Sequence, residues 1–262
     1  MELGLGGRVV VITGGSSGIG KAAALEHLKE GCKVAICARG KERLEQTVQE
    51  FQSLGYEVFS RSVDVTDYAA VEDFADAVAE RYGKIDVWYN NAAVNQMKLL
   101  MDYSYDEFRD MTERVLVSVF AGCKIAAERM KKTGGGVIMN ASSFSAVLPN
   151  AGRAPYSACK AGVQSLTQTF AAELAPYHIR VLAYTPGLIE TEITKKNIAL
   201  NGPSLMKDIP CRRFGQPEDL ARVLVFLTSD VAGYINGTDV RIAGGKFCTQ
   251  NPQYGWEHVT DI

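Results

Sequence analysis

Short β-branched runs alternate with longer helical stretches along the chain. Apolar runs bounded by turn residues are typical of buried strands, and their alternation with helices is typical of βαβ units. We predict strands at 8–13, 33–38, 57–62, 85–90, 136–141, 179–184 and 238–242. We predict helices ending near residue 30 and spanning about 41–54, 67–82, 104–131, 154–175 and 217–228. This order predicts an α/β fold: a doubly wound parallel sheet of about seven strands with helices on both faces.

No linker, repeat or low-complexity tract interrupts the pattern, so we predict a single domain over residues 1–262. After Pro186-Gly187 we predict an irregular stretch of about 25 residues. We interpret 188–214 as a substrate lid, because loops at the carboxyl ends of parallel strands form ligand sites. A tail at 246–262 follows Gly244-Gly245, and it either closes over a site or packs loosely.

The composition narrows the classes of function. Of 262 residues, 47% are hydrophobic and 22% charged, and the net charge is −2 without a basic block, which argues against nucleic acid as a partner. The apolar runs are too short for a bilayer and there is no secretory leader pattern. Six cysteines without close pairs, together with only three histidines, argue against disulfides and a metal site. We therefore expect a cytoplasmic protein.

A glycine-rich stretch, Thr13-Gly14-Gly15-Ser16-Ser17-Gly18-Ile19-Gly20, lies between the first predicted strand and helix. Glycines let the backbone approach a phosphate, while the helix N-terminus supplies amides and a positive dipole end. This placement is the one that a dinucleotide-binding Rossmann domain requires. The candidate cofactor-binding residues here are Gly14, Ser16, Ser17, Gly18, Ile19 and Gly20.

The second predicted strand ends in Cys37-Ala38-Arg39-Gly40. A carboxylate at this point binds the ribose 2′-hydroxyl of NAD, whereas an arginine accommodates the 2′-phosphate of NADP. No carboxylate is present and Arg39 is, so we favour NADP(H) over NAD(H).

A second motif carries candidate chemistry. Tyr156 and Lys160 are four residues apart on a predicted helix, so their side chains share one face. A nearby ammonium favours the phenolate, and we expect it to lower the pKa of the phenol toward neutrality. Such a tyrosine can exchange a proton with an alcohol or ketone oxygen. Ser143, at the end of the fifth predicted strand, is placed to hold the same oxygen.

Taken together, these motifs resemble those of the short-chain dehydrogenase/reductase family, and the similarity covers almost the whole chain. Besides the glycine loop and the Ser143, Tyr156 and Lys160 spacing, the similar segments are Asp64-Val65, Asn90-Asn91-Ala92-Ala93, Pro186 to Thr191, Arg213 to Glu218 and Gly244-Gly245.

The resemblance implies hydride transfer between a nicotinamide and a carbon bearing oxygen. It implies that Tyr156 is the general acid/base, that Lys160 lowers its pKa and holds the nicotinamide ribose, and that Ser143 orients the reacting oxygen. It further implies cofactor contacts from Asp64, Val65, Asn91, Ile189 and Thr191. The family commonly forms tetramers or dimers through its two long middle helices, so we expect a homo-oligomer.

The chain departs from the family at two positions. Val115 stands where many members have an asparagine that helps a water relay protons to the lysine, and Ala93 replaces a glycine. Either a helix carbonyl or Ser118 holds the water instead, or turnover is slow, or the chain has a narrower or non-catalytic function.

The predicted substrate is a small molecule, and apolar residues suggest its class. Leucine, isoleucine and methionine are frequent at 97–101 and 188–206, and Phe144, Val147 and Leu148 follow the candidate serine, which suits a hydroxysteroid, a bile acid or an acyl chain. Our leading interpretation is an NADP(H)-dependent dehydrogenase or reductase of a hydroxysteroid, and the tail weakly resembles tails of bacterial bile-acid hydroxysteroid dehydrogenases. The alternatives are a 3-oxoacyl thioester (acyl-carrier-protein) reductase and a non-catalytic cofactor-binding protein.

Overall fold

A computed structural model describes residues 2–246 and 248–259. One sheet of seven strands, all paired in parallel, has the order β3-β2-β1-β4-β5-β6-β7. This confirms the predicted doubly wound sheet. The strands are β1 Val9–Thr13, β2 Lys33–Ala38, β3 Val58–Ser62, β4 Val87–Asn90, β5 Gly136–Ala141, β6 Ile179–Pro186 and β7 Asp239–Ile242.

Helices cover both faces of the sheet. They are α1 Gly18–Lys29, α2 Lys41–Ser53, α3 Tyr68–Tyr82, α4 Tyr105–Thr112, α5 Ser118–Met130, α6 Ala154–Leu174, α7 Glu192–Lys207, α8 Pro217–Thr228 and the short α9 Tyr254–His258. Asp67 caps α3 by accepting a hydrogen bond from Ala70 N at 3.1 Å. Ser104 and Glu107 form a capping box at the start of α4.

Alternation along each strand divides the core between the two faces of the sheet. On β1, Val10 and Ile12 pack with α1 and α8, whereas Val9 and Val11 pack with α3 and α5. Both sets are fully buried, which explains why these strands are apolar throughout instead of alternating with polar residues.

The predicted 104–131 helix is interrupted. A π-helical turn at Glu113–Val117 separates α4 from α5, and it contains Val115. Such turns are frequent at functional sites. Periodicity of apolar residues does not reveal one extra residue in a single turn.

The prediction of an irregular stretch after Pro186-Gly187 is wrong, because α7 occupies most of it. Gly202-Pro203 resembles a helix end, yet Pro203 lies inside α7. It removes one hydrogen bond to the carbonyl of Ala199, which is exposed and can bind water instead. The predicted tail contains α9, while Phe247 and residues 260–262 lie outside the described residues.

Three further expectations concern the described residues only. None of the helices found there is long and apolar enough to cross a membrane. No cluster of histidine, cysteine, aspartate or glutamate suited to a metal was found in the same residues. All six cysteines are free thiols.

A buried polar chain crosses the centre of the molecule from β4 to α6. Asn90 Nδ2 donates to Asn140 Oδ1 at 2.8 Å, and Asn140 Nδ2 donates to Thr167 Oγ1 at 3.0 Å. Trp88 Nε1 donates to Asn90 Oδ1 at 2.8 Å. Because buried amides without partners are costly, these bonds fix the register of α6 on the sheet.

Replacement of Asn140 by alanine removes the middle of this chain. We expect Asn140→Ala to lower the free energy of unfolding by about 2–3 kcal/mol, since Asn90 and Thr167 lose a buried partner. Urea denaturation followed by circular dichroism measures the change. The control Gln46→Ala, at an exposed position on α2, should stay within about 0.5 kcal/mol of the wild type. Equal stability of the two variants would contradict this view of the core.

Candidate active site

The glycine loop lies where the carboxyl ends of β1 and β4 separate. Gly14 has φ +67°, and a Cβ atom there would come within 2.9 Å of Ala92 Cα. A Cβ atom on Gly20 would lie 2.4 Å from Asn91 Nδ2. These two positions therefore need glycine for the loop to lie against the turn after β4.

The first turn of α1 offers donors for a phosphate. Ser17 is the N-cap, and its side chain makes no capping hydrogen bond, while Ser16 is buried beneath it. Gly18, with φ +53°, opens the helix and faces Thr191, since a Cβ atom there would lie 3.2 Å from Thr191 Cγ2. Ile19 packs partly buried against the core. Free amides, hydroxyls and close backbone approach are what a pyrophosphate needs, so these residues fit a dinucleotide.

Asn91 connects the glycine loop to the sheet. Its backbone N donates to Thr13 Oγ1 at 3.0 Å, and its Nδ2 donates to Thr13 O at 3.0 Å and to Gly14 O at 3.3 Å. Tyr184 Oη donates to Asn91 Oδ1 at 2.9 Å, which fixes the amide orientation. Tyr184 is a site residue that the motifs do not predict. The signal for it in the sequence is a tyrosine near the carboxyl end of a strand, where ligand sites form.

Arg39 and Asp64 lie together at the ends of β2 and β3. Arg39 Nη1 is 3.8 Å from Asp64 Oδ2, and Arg114 is equally close to the same carboxylate. Burial raises the pKa of Asp64, but hydrogen bonds from Thr66 and the two guanidinium charges outweigh burial and hold the pKa below its usual value. Val65, next in sequence, lines a small cavity beside Asn90.

Helix α6 brings Tyr156 and Lys160 together with Ser143. Lys160 Nζ lies 5.7 Å from the centre of the Tyr156 ring and donates to Ala141 O, at the end of β5, at 2.6 Å. The Ser143 hydroxyl accepts from Ser145 N at 3.1 Å, and it lies close enough to the Tyr156 phenol to lower the pKa of that phenol. The three predicted residues therefore form one cluster.

Burial is the largest influence on the pKa values of Tyr156 and Lys160. It raises the pKa of Tyr156, although the Ser143 hydroxyl and the positive charge of Arg153 act in the opposite direction. Burial also lowers the pKa of Lys160 to about 8, against a smaller effect of Cys159. The expectation that Lys160 brings the pKa of Tyr156 below its usual value is therefore wrong in this structure. The pKa of Tyr156 lies above its usual value instead, because the side chains of Tyr156 and Lys160 are both removed from water.

Ile189 and Thr191 lie opposite the glycine loop. Ile189 is buried and bridges to Gly215 in parallel. Thr191 caps α7 through Thr194 and faces Gly18. The two residues with an expected nicotinamide contact thus border the same crevice as the glycine loop.

Val115 is buried and packs with Met111 and Cys159 beside Tyr156. Ser118 Oγ donates to Arg114 O at 2.8 Å and lines the small cavity beside Asn90. The hydroxyl proton of Ser118 is engaged with Arg114 O, and no hydrogen bond joins Ser118 to Lys160 among the described residues. The water-holding hypothesis for Ser118 stays a prediction.

Large apolar side chains are exposed on two joined segments near the site and on α7. Lys98 N donates to Gly152 O at 2.9 Å, which joins the segment after β4 to the loop before α6. The exposed apolar residues on these two segments and on α7, here called the apolar mouth, are Met97, Leu99, Leu100, Met101, Val147, Leu148, Ile193 and Leu200. Contiguous exposed apolar side chains are typical of a binding surface.

Comparison with known proteins agrees with this geometry. The family model described as short chain dehydrogenase matches residues 8–200. The chain is 37% identical, over 241 residues, to the 3-oxoacyl-[acyl-carrier-protein] reductase FabG of Thermotoga maritima, covering 92% of this chain and 98% of that protein. It is 34% identical to the enzyme of the same name from Chlamydia pneumoniae, covering 94% and 99%.

Solved structures show the same fold. A short-chain type dehydrogenase/reductase from Mycobacterium marinum superposes with a TM-score of 0.90 at 32% identity, covering 95% of this chain and 98% of that one. Levodione reductase superposes with a TM-score of 0.86 at 32% identity, covering 92% and 97%.

The bond from Tyr184 to Asn91 leads to a test of cofactor binding. We expect Tyr184→Phe to raise the dissociation constant of NADPH about three- to tenfold, because the Asn91 amide loses the hydrogen bond that orients it under the glycine loop. Fluorescence titration with NADPH measures this constant.

Tyr89→Phe is the matched control, since Tyr89 is also a buried tyrosine and its hydroxyl bonds His27 Nε2 at 2.9 Å instead of Asn91. It should reduce stability but leave the dissociation constant within about twofold of the wild type. A Tyr184→Phe protein that binds NADPH as tightly as Tyr89→Phe does would exclude a positioning function for Tyr184.

Proposed function

We propose that this chain reduces 3-oxoacyl thioesters with NADPH. It belongs to the short-chain dehydrogenase/reductase family and is an oxidoreductase that acts on CH–OH and C=O groups with a nicotinamide cofactor. The observation that carries this proposal is the cluster of Ser143, Tyr156 and Lys160 in a chain whose relatives, matched over nearly their full length, include several 3-oxoacyl-[acyl-carrier-protein] reductases. The thioester interpretation was the alternative on sequence alone. Hydroxysteroid reduction becomes the second candidate, since only the apolar mouth favours it.

We assign to Tyr156 the role of proton donor to the developing alkoxide. Its raised pKa keeps the phenol protonated at neutral pH, which is the form that reduction requires. Ser143 would bind the same carbonyl oxygen, and Lys160 would keep a positive charge behind the phenol below its pKa of about 8. When bound, the nicotinamide supplies the hydride that completes the reduction.

The cofactor would lie along the crevice between the glycine loop and α7. Gly14, Ser16, Ser17, Gly18, Ile19 and Gly20 would hold the pyrophosphate. Asp64 and Val65 would contact the adenine end, and Asn91, Ile189 and Thr191 the nicotinamide end. The NADP preference rests on Arg39, a half-exposed guanidinium that lies beside Asp64 and supplies several donors for a 2′-phosphate.

We propose that 188–214, with α7 at its centre, is the substrate lid of a single domain over residues 1–262, and that the protein works in the cytoplasm. We also propose a homodimer or homotetramer. Its support is the groove between α5 and α6, where Phe120 and Tyr177 are exposed beside Phe170 and Leu174. Light scattering of the purified protein checks the subunit number.

A panel of substrates tests the proposed activity. With NADPH, we expect kcat/KM for a 3-oxoacyl thioester at least about tenfold above that for any keto-steroid, because the pocket contacts would differ by over one kcal/mol. With NADH in place of NADPH, we expect a loss of about tenfold or more, since Arg39 would lack its phosphate. Oxidation of NADPH followed by fluorescence measures both ratios.

The opposite outcomes are equally informative. Faster reduction of keto-steroids would replace the thioester proposal by the second candidate. Tight NADPH binding without oxidation by any carbonyl would contradict both and favour a non-catalytic protein.

A further inference from the structure

Arg153 lies at the entrance of the site and is held by its backbone. It directly precedes α6, and Tyr156 follows three residues later. Arg153 N donates to Asn150 O at 3.1 Å, and Ser157 N donates to Arg153 O at 2.9 Å. Gly152, with φ +81°, makes the turn into this position. The side chain therefore projects from a fixed point beside the phenol.

The guanidinium of Arg153 has no partner in the described part of the chain. Its Nε is buried and unpaired, and none of the ion pairs found among those residues includes it. Leaving a buried N–H of a charged group without an acceptor is costly. Arg153 as a whole is only partly buried, so the Nη1 and Nη2 end of the guanidinium is the end that a ligand can reach.

The positive charge of Arg153 acts on the phenol of Tyr156. It lowers the pKa of Tyr156, in opposition to burial, so the guanidinium lies within electrostatic range of the phenol oxygen. An acceptor that pairs with Arg153 would thus lie near a carbonyl held by Tyr156 and Ser143.

Two other cations near the site are already engaged. Lys98, on the segment bonded to Gly152, forms an ion pair with Glu107. Lys160 is buried and donates to Ala141 O. Arg153 differs from both because its planar fork is free, and this fork matches a carboxylate or phosphate in a bidentate pair.

We propose that Arg153 binds an anionic group of a substrate, so that the site accepts, besides thioesters, carbonyl compounds with a carboxylate or phosphate a few bonds from the reacting carbon. This inference rests on the proposed carbonyl reduction and adds a second substrate class to it. Arg153 is then a specificity-determining residue, and the apolar mouth holds the remainder of the substrate.

Matched substrates test the inference with the full-length protein and NADPH. We expect Arg153→Gln to lower kcat/KM about 30-fold for acetoacetate, mainly through KM, because a charge-assisted bond is lost. For the neutral methyl acetoacetate we expect a change below about threefold. Arg153→Lys should recover part of the loss, and Lys132→Gln, which removes a positive charge at an exposed turn, should match the wild type for both substrates.

A second pair distinguishes the two anions. Dihydroxyacetone phosphate compared with dihydroxyacetone reports on a phosphate, as acetoacetate compared with its ester reports on a carboxylate. An Arg153-dependent preference in either pair supports the inference and identifies the anion.

Three outcomes would overturn the inference. Equal losses for the acid and the ester in Arg153→Gln would mean that Arg153 acts only through Tyr156. A wild type that reduces thioesters and esters without preference for either anion would leave the proposed function intact and remove this inference alone. If no carbonyl is reduced, the proposed function itself fails. Calorimetry with acetoacetate and NADP⁺ then tests the anion site by itself. Equal binding of acetoacetate to wild type and Arg153→Gln would contradict that site.

Discussion

The parallel pairing of β1 with β4 is the constraint on which the site depends. The strand order runs outward from β1 toward β3 on one side and from β4 toward β7 on the other, so the connections diverge at this pair and open a crevice at the carboxyl ends. Thr13, Gly14 and Asn91 meet there through hydrogen bonds of 3.0 and 3.3 Å. Everything placed in the crevice, from the glycine loop to Thr191, takes its position from this divergence.

Burial then sets the chemistry at the next strand. Tyr156 and Lys160 stand beside the end of β5, where water is largely excluded and both side chains are shifted toward their neutral forms. A protonated phenol at neutral pH suits donation to a carbonyl oxygen, while Ser143 and Arg153 limit how far its pKa rises. The same dry environment makes each remaining charge more effective than it would be in water.

Features carried by local spacing were predictable from the sequence, and those created by tertiary contact were not. The strands, the glycine loop and the Tyr156–Lys160 face follow from periodicity and four-residue spacing. Helix α7 was missed because Gly202-Pro203 resembles a helix end. Tyr184 matters because it bonds Asn91, which is distant in sequence. Arg153 matters because its Nε has no hydrogen-bond partner among the described residues. The direction of the Tyr156 pKa was missed because spacing does not report burial.

The proposed reduction depends on Tyr156 as the proton donor to the carbonyl oxygen. Stopped-flow fluorescence follows NADPH oxidation by a 3-oxoacyl thioester in the wild type and in Tyr156→Phe. We expect Tyr156→Phe to bind NADPH normally but to oxidise it at least about 100-fold more slowly, because a general acid is lost. Oxidation at the wild-type rate by Tyr156→Phe would contradict this role of Tyr156.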